Sequence, residues 1–314
     1  MTTGAQAAVR LPEDSSSLVG TANRSFVPAP ACRTASIPAA EAPLVVIEAH
    51  PGWRLVDVGE LWRARGLLFF LAWRDVKVRY RQTVLGAAWA LLQPVLTMLA
   101  FIVFLQRVAA EPNASVPYAL FVFTGMLPWT FFARSINAAG GSVVLEQHLI
   151  TKVYFPRLLI PMSAIGAGLV DFAIGFGLLA VLIGVYRVAP GWGVLAVPLV
   201  LVLLTGTALG VGTLLSALTV VYRDFAHALP FLLQIWMFAT ATIYMQADSA
   251  LSPRLRWVMM LNPAHGLIAN FRAAVLGGPF DWPSLAAAAA IGMALFFVGC
   301  LSFRRMERPF VDII

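Results

Sequence analysis

Apolar residues fall into six long runs along this chain, and basic or polar residues collect at the ends of those runs. The first, Leu85 to Leu105, carries no formal charge over 21 residues. At 1.5 Å per helical residue, about 20 apolar residues cross a ~30 Å hydrocarbon core. Arg74, Lys77, Arg79 and Arg81 come just before it, and the positive-inside rule keeps that end in the cytoplasm. Gln93-Pro94 predicts a kink within this span. The second run, Tyr118 to about Ala133, is rich in aromatic residues and interrupted by Pro128. The third, Leu158 to Tyr186, contains a single acid, Asp171. The fourth, Val194 to Tyr222, carries Gly206, Gly210 and Gly212, small enough for close helix packing, and ends at Arg223-Asp224. A fifth run covers Ala226 to Met245. The sixth, Leu285 to Phe303, leads back to Arg304, Arg305 and Arg308, which places both termini inside.

The segments between the runs differ in kind. Trp62, Phe69, Trp73 and Tyr80 are spaced 7, 4 and 7 apart, which puts them on one stripe of a helix with arginines beside it. An amphipathic helix of that design lies in the membrane plane, with rings in the acyl boundary and guanidinium groups at the phosphates. The alternation Val76, Val78, Tyr80 also permits a strand, so the helix boundary near Arg74 stays open. Asn137 to Arg157 is too polar for hydrocarbon and too short for a domain, and reads as a contact surface. Asp248 to Pro283 holds two apolar pieces, Leu255 to Leu261 and Leu267 to Leu276, each too short to cross. Asn262-Pro263 separates them, which fits a re-entrant helical pair at the outer side.

Composition gives the same class. Hydrophobic residues make up 60% and charged residues 12% of the 314, and mean hydropathy is +0.82. Soluble domains carry roughly 25% charged residues, so the chain reads as a polytopic membrane protein. The formal charge of +7 is explained by topology and lipid headgroups rather than nucleic acid, because the basic residues sit at the ends of the runs. Cys32 and Cys300 make neither a disulfide framework nor a metal site. The expected organisation is a disordered cytoplasmic tail over 1–51, an amphipathic interfacial helix over 52–84, a six-span domain over 85–303 and a short cytoplasmic tail over 304–314. The fold class is thus all-α and integral to the membrane.

Four stretches resemble a known family: WRDVKVRYRQTVLGAAWALLQP at Trp73 to Pro94, LPWTFF with TKVYFPRLLIP between Leu127 and Pro161, VYRDF at Val221 to Phe225, and LNP with a downstream FR at Leu261 to Arg272. They occur in order and with matching spacing, and the C-terminal ERPFVDII is similar as well. The family is that of the membrane subunits of ABC exporters for polysaccharides and polyol phosphates, with the type 2 permease fold. It includes the O-antigen and teichoic acid exporters.

The resemblance implies a homodimer in a bacterial inner membrane, driven by two separate ATPase subunits that hold ATP and magnesium. The sequence agrees on the missing motor, since no G-x-x-x-x-G-K-[ST] stretch is present to cradle phosphates. The family's ATPase contacts map onto the interfacial helix and the loop between spans two and three. They point to Trp62, Arg74, Glu146, His148, Lys152, Tyr154 and Phe155. Sugars have apolar CH faces, so aromatic rings suit a glycan track, and the candidates are Trp89, Phe101, Trp129, Phe132, Trp236 and Tyr244. Trp257, Asn262, His265 and Arg272 fall in the region that resembles the family's outer gate. The cargo is expected to be a lipid-linked glycan of O-antigen or capsule type, with teichoic acid as the alternative.

Asp171 supports a rival reading. An ionisable group inside a span is costly and marks function by default, so a proton-coupled carrier would use it. Against this, such carriers usually bury several titratable groups and often show inverted repeats, neither of which is evident. The expected partners of Asp171 are polar groups or Arg223. A membrane-embedded glycosyltransferase would need paired carboxylates, a metal site or a large catalytic loop, and no segment supplies one.

Overall fold

The computed structural model describes residues 58–81, 88–109, 116–152, 155–189, 191–240 and 259–307. They belong to a unit that spans Trp53 to Ile314. The tail expected over 1–51 lies outside the described residues, as do Tyr154, Tyr244, Trp257 and the side chain of Trp89.

Every regular element among the described residues is helical. In chain order these are α1 (Val58–Arg63), α2 (Arg65–Arg81), α3 (Ala88–Ala109), α4 (Tyr118–Leu145), α5 (Gln147–Lys152), α6 (Leu159–Tyr186), a 3₁₀ turn at Trp192–Ala196, α7 (Val197–Val221), α8 (Asp224–Ala239), α9 (Pro263–Leu276) and α10 (Trp282–Met306). Four of them are long and apolar enough to cross a bilayer: α4, α6, the 3₁₀ turn continuing into α7, and α10. In α3 the described apolar stretch is Leu92–Leu105, and α8 has 16 residues, so these two pieces are shorter than a full span.

Helix α4 is the axis of the unit. Its most apolar window is 72% buried, against 22% to 33% for the other three long helices, which therefore keep a wide apolar face turned outward. It packs against α3, α6, α7, α8 and α9, while α7 also packs against α10 and α2 lies on α6. The second run does not end near Ala133 as its composition suggests. The helix continues through Pro128 to Leu145, so Asn137 to Leu145 is helix rather than loop. The cause is the small-residue stretch Ala138-Ala139-Gly140-Gly141-Ser142, which lets neighbouring helices approach. A Cβ on Gly140 would lie 2.9 Å from the Leu229 side chain, and Ala139 faces Gly212.

Close approach also sets the seam between α7 and α10. A Cβ on Gly210 would lie 2.5 Å from the backbone of Phe296. Lipid tails are as apolar as leucine, so helices here gain from van der Waals packing, and glycine permits it. The expected role of the fourth run's glycines therefore holds at Gly210 and Gly212 but not at Gly206, which has nothing within 4 Å. Thr207 and Thr213 keep the seam dry by donating to carbonyls of their own helix, Leu203 and Gly210.

The segment before the first span is helical through Arg81, which removes the strand alternative at Val76 to Tyr80. It consists of two helices broken at Ala64 rather than one. Of the outer pair, α9 is a 14-residue helix capped by Asn262 and ended by Gly277 in the left-handed region at φ 74°. Most of the first member lies outside the described residues.

Candidate functional site

The residues singled out from sequence fall at two ends of the bundle. At the first, α2 lies beside the junction of α4 and α5. Arg74 donates from both terminal nitrogens to Glu146, at 2.5 and 3.2 Å, and also donates to Asp75. Glu146 ends α4, its own N–H returning to Ser142. Desolvation pulls the Arg74 pKa down, but the hydrogen bonds to Glu146 and Asp75 outweigh it and leave the value raised. Beside this pair an open groove of about 590 Å³ is lined by Arg74, Asp75, Val78, Arg79 and Glu146.

The aromatic stripe of α1 and α2 faces away from the protein. Trp62 is 67% and Phe69 70% exposed. Phe69 stacks on Trp73 at 6.3 Å, Arg65 lies over Trp62 and Lys77 over Trp73. Tyr80 leaves the stripe and turns toward α6. His148 and Lys152 stand exposed on α5. Phe155 is buried in a small core with Val143, Leu158 and Phe303, against which Leu61, Leu67 and Leu68 pack, so it holds α1 and α2 in place from behind. Arg157 donates to the Glu307 carbonyl and lies 3.7 Å from its carboxylate, which ties this region to the end of α10.

Asp171 is not alone. Arg79 donates to its Oδ2 and Tyr80 to its Oδ1, and Arg134 of α4 lies 4.0 Å away. Arg134 in turn donates to Gln93 of α3. The partners come from α2 and α4, not from Arg223. Burial and the hydrogen bond to Asp171 push the Tyr80 hydroxyl up to about 12. These contacts define a polar level across four helices. Beyond it, α3, α4 and α6 each have sixteen or seventeen residues, counting Gln93, Arg134 and Asp171. That is about 25 Å of helix, somewhat short of a ~30 Å hydrocarbon core.

The sequence held a signal for this cluster: Arg134 follows directly on the second apolar run and Asp171 lies within the third. A carboxylate inside an apolar run calls for a cation at the end of a neighbouring one.

At the far end, Trp236, Asn262 and His265 are brought together. Asn262 Oδ1 accepts from Trp236 Nε1 at 2.9 Å and from the Ala264 N–H at 3.1 Å, while its Nδ2 donates to Thr240 Oγ1 at 3.1 Å. His265 Nδ1 lies 3.1 Å from the Thr240 carbonyl, and so carries the proton. The end of α8 is thereby fastened to the start of α9. Arg272 is elsewhere, its guanidinium 3.7 Å over the Phe121 ring.

Of the aromatic track candidates, Trp129, Phe132 and Trp236 form one cluster with centroids 5.2 to 6.4 Å apart. Trp129 is 4% exposed and Phe132 is 0%, so in this conformation both pack the core. Phe101 is half-buried beside Tyr118 and Val122.

The family model described as ABC-2 type transporter matches residues 66–276. An O-antigen export system permease protein RfbA from Myxococcus xanthus is 31% identical over 262 residues, covering 82% of this chain and 98% of that protein. Two proteins of the same name from Klebsiella pneumoniae are 26% identical over 254 residues, covering 79% of this chain and 95% of theirs.

Proposed function

The chain belongs to the ABC-2 type transporter family, and on that premise we propose that it is the membrane subunit of an ATP-driven exporter of a lipid-linked polysaccharide of O-antigen type. It is a multi-pass membrane protein and a transporter subunit rather than an enzyme. The observation that carries the cargo assignment is the match to RfbA of Myxococcus xanthus, which covers 98% of that protein.

In this reading the subunit dimerises in the inner membrane with six spans per copy, α3 and α8 belonging to the first and fifth. Both termini are cytoplasmic. The end that carries α2, Glu146 and α5 faces two ATPase subunits, which bind ATP and magnesium. Trp62, His148 and Lys152, exposed there, are positioned to meet them, with Tyr154 beside them in sequence. Phe155 supports the surface from within, and the Arg74–Glu146 pair joins its two halves. Closure of the ATPase dimer moves α2 and the loop together, and the path opens between the first and fifth spans of the two copies. The rings at Trp89, Phe101, Trp236 and Tyr244 belong to that path, with Trp129 and Phe132 behind Trp236. Asn262, His265 and Trp257 belong to its outer gate, with Arg272 further along α9 against Phe121.

A carrier driven by protons through Asp171 is disfavoured by geometry. Two guanidiniums and a hydroxyl donor already occupy the carboxylate, as in a structural ion-pair cluster rather than an open relay site. The functional test is deletion of the gene in its native host followed by complementation. The reading expects surface glycan to vanish, lipid-linked glycan to accumulate at the cytoplasmic face, and both to be reversed by the intact gene. Normal surface glycan in the deletion strain contradicts it.

A further inference from the structure

Helix α2 is bound to α6 by two kinds of contact. The first is apolar: Leu71 and Val76 are buried, and a Cβ on Gly166 would lie 3.3 Å from the Ala72 Cβ. The second is polar and lies two turns further along α2, where Arg79 and Tyr80 both reach Asp171. Consecutive residues take the two oxygens of one carboxylate. A carboxylate held from two directions fixes both the rotation and the rise of the last turn of α2, which a single contact does not. The same carboxylate faces Arg134 of α4, and Arg134 holds Gln93 of α3.

We propose that Asp171 is the positioning residue through which movement of α2 is delivered to the membrane-crossing helices, a role that rests on the exporter reading above. A force applied to α2 at its exposed face has two routes into the bundle. One is the chain itself, from α2 to α3. The other is Asp171, which hands the displacement to α6 and, through Arg134, to α4, the helix on which the rest of the unit packs. Coupling travels through such contiguous contacts when they shift as a set. Asp171 is 13% exposed on its side chain, against 40% for Arg79 and 38% for Arg134, so the carboxylate is the more buried centre that both guanidiniums reach. Removing its charge leaves Arg79 and Arg134 facing each other, and α2 loses its grip on α6 while keeping its apolar seat at Ala72 and Gly166.

The test uses the full chain assembled with its ATPase subunits. Asp171→Asn, Asp171→Glu and the exchange Arg79→Asp with Asp171→Arg are compared for membrane insertion, ATPase co-purification, ATP hydrolysis and surface glycan. The Asn variant is expected to insert, bind the ATPase and hydrolyse ATP within about twofold of the wild type, yet to export about tenfold less glycan per ATP, a usual size for a coupling between sites. Asp171→Glu is expected to recover most of that ratio, which a merely structural role does not predict, and the exchange, which leaves Arg134 facing a like charge, is expected to recover less of it. A wild-type ratio in the Asn variant overturns the proposal, and so does failure of all three variants alike. If the Asn variant does not insert, Tyr80→Phe decides, since it keeps the ion pair and loses one hydrogen bond. A ratio lowered about twofold or more supports the proposal, and an unchanged ratio overturns it. Failure of the exporter reading looks different: the wild-type chain itself then exports with no ATPase bound.

Discussion

Arg74 and Glu146 stand 72 residues apart in sequence and meet through two hydrogen bonds that use both carboxylate oxygens. The pair fastens α2 to the end of α4, the two segments that sequence reasoning assigned separately to one contact surface. Both side chains are about one-third exposed, so solvent screens the attraction and its worth to stability is at most ~1 kcal/mol. Its geometry matters more than its energy. Glu146→Gln is therefore expected to leave the unfolding temperature in detergent almost unchanged while lowering glycan-stimulated ATP hydrolysis, and Glu146→Asp to be less severe. Thermal melting and an ATPase assay on the same preparation separate the two effects.

Tyr80 is expected to ionise late. Burial and the bond it donates to Asp171 raise its pKa from the ordinary 10.0 to about 12. A raised value means that the stabilisation is complete below about pH 10 and is lost as pH climbs toward 12, so the tether is intact throughout the physiological range. Tyrosinate absorbance should show one residue titrating about two pH units late, and Asp171→Asn should move it back toward its ordinary range. Absence of a late titration argues against the bond.

Two glycines of α7 should respond oppositely to alanine. Gly206 has open space around it, so Gly206→Ala is expected to stabilise the helix by roughly 0.5 to 1 kcal/mol. Gly210 faces the backbone of Phe296, which cannot step aside as a side chain can, and Gly210→Ala is expected to cost about 1 to 3 kcal/mol. Thermal unfolding followed by size-exclusion chromatography measures both. Equal behaviour of the two variants contradicts the seam described here.

Asn262→Ala removes the cap of α9 and leaves Trp236 Nε1 without its acceptor. A lost cap and a stranded donor together are expected to cost about 2 kcal/mol. Asn262→Asp keeps both accepted bonds and loses only the donation to Thr240, so it should cost less. Tryptophan emission reports directly, since only the alanine change releases the indole of Trp236 to another partner.

Much of this fold was legible because bilayers impose length and hydropathy on any crossing helix. Limits expected at Leu158 and Tyr186 and at Leu285 and Phe303 lie within three residues of those of α6 and α10. The second run was misjudged at its inner end because Asn137, Gly140, Gly141 and Ser142 look polar one by one, whereas in α4 Ala139, Gly140 and Ser142 are small buried residues, with Leu229 pressed against Gly140. Hydropathy averages over identity and cannot register shape. The structure brings the two segments proposed as a contact surface side by side, but their joints were not visible in the sequence: nothing local in it pairs Arg74 with Glu146, or Tyr80 with Asp171. The expected partners of Asp171 were polar groups or Arg223; a polar group does meet it, Tyr80, but from α2, and the charged partners are Arg79 and Arg134 rather than Arg223. In the structure the last turn of α2 lies against α6, and that contact depends on the third dimension.

The proposal that separate ATPase subunits work this permease through the end that carries α2 is open to direct test. The most direct measurement is purification of the intact chain from native membranes, with identification of bound proteins and assay of ATP hydrolysis and its vanadate sensitivity. The account predicts a stoichiometric ATPase partner that carries the phosphate-binding loop missing here, with hydrolysis uncoupled from glycan export by changes at Glu146, His148 and Lys152. Recovery of the chain alone, without hydrolysis, and with export that follows a proton gradient and is lost in Asp171→Asn, contradicts it.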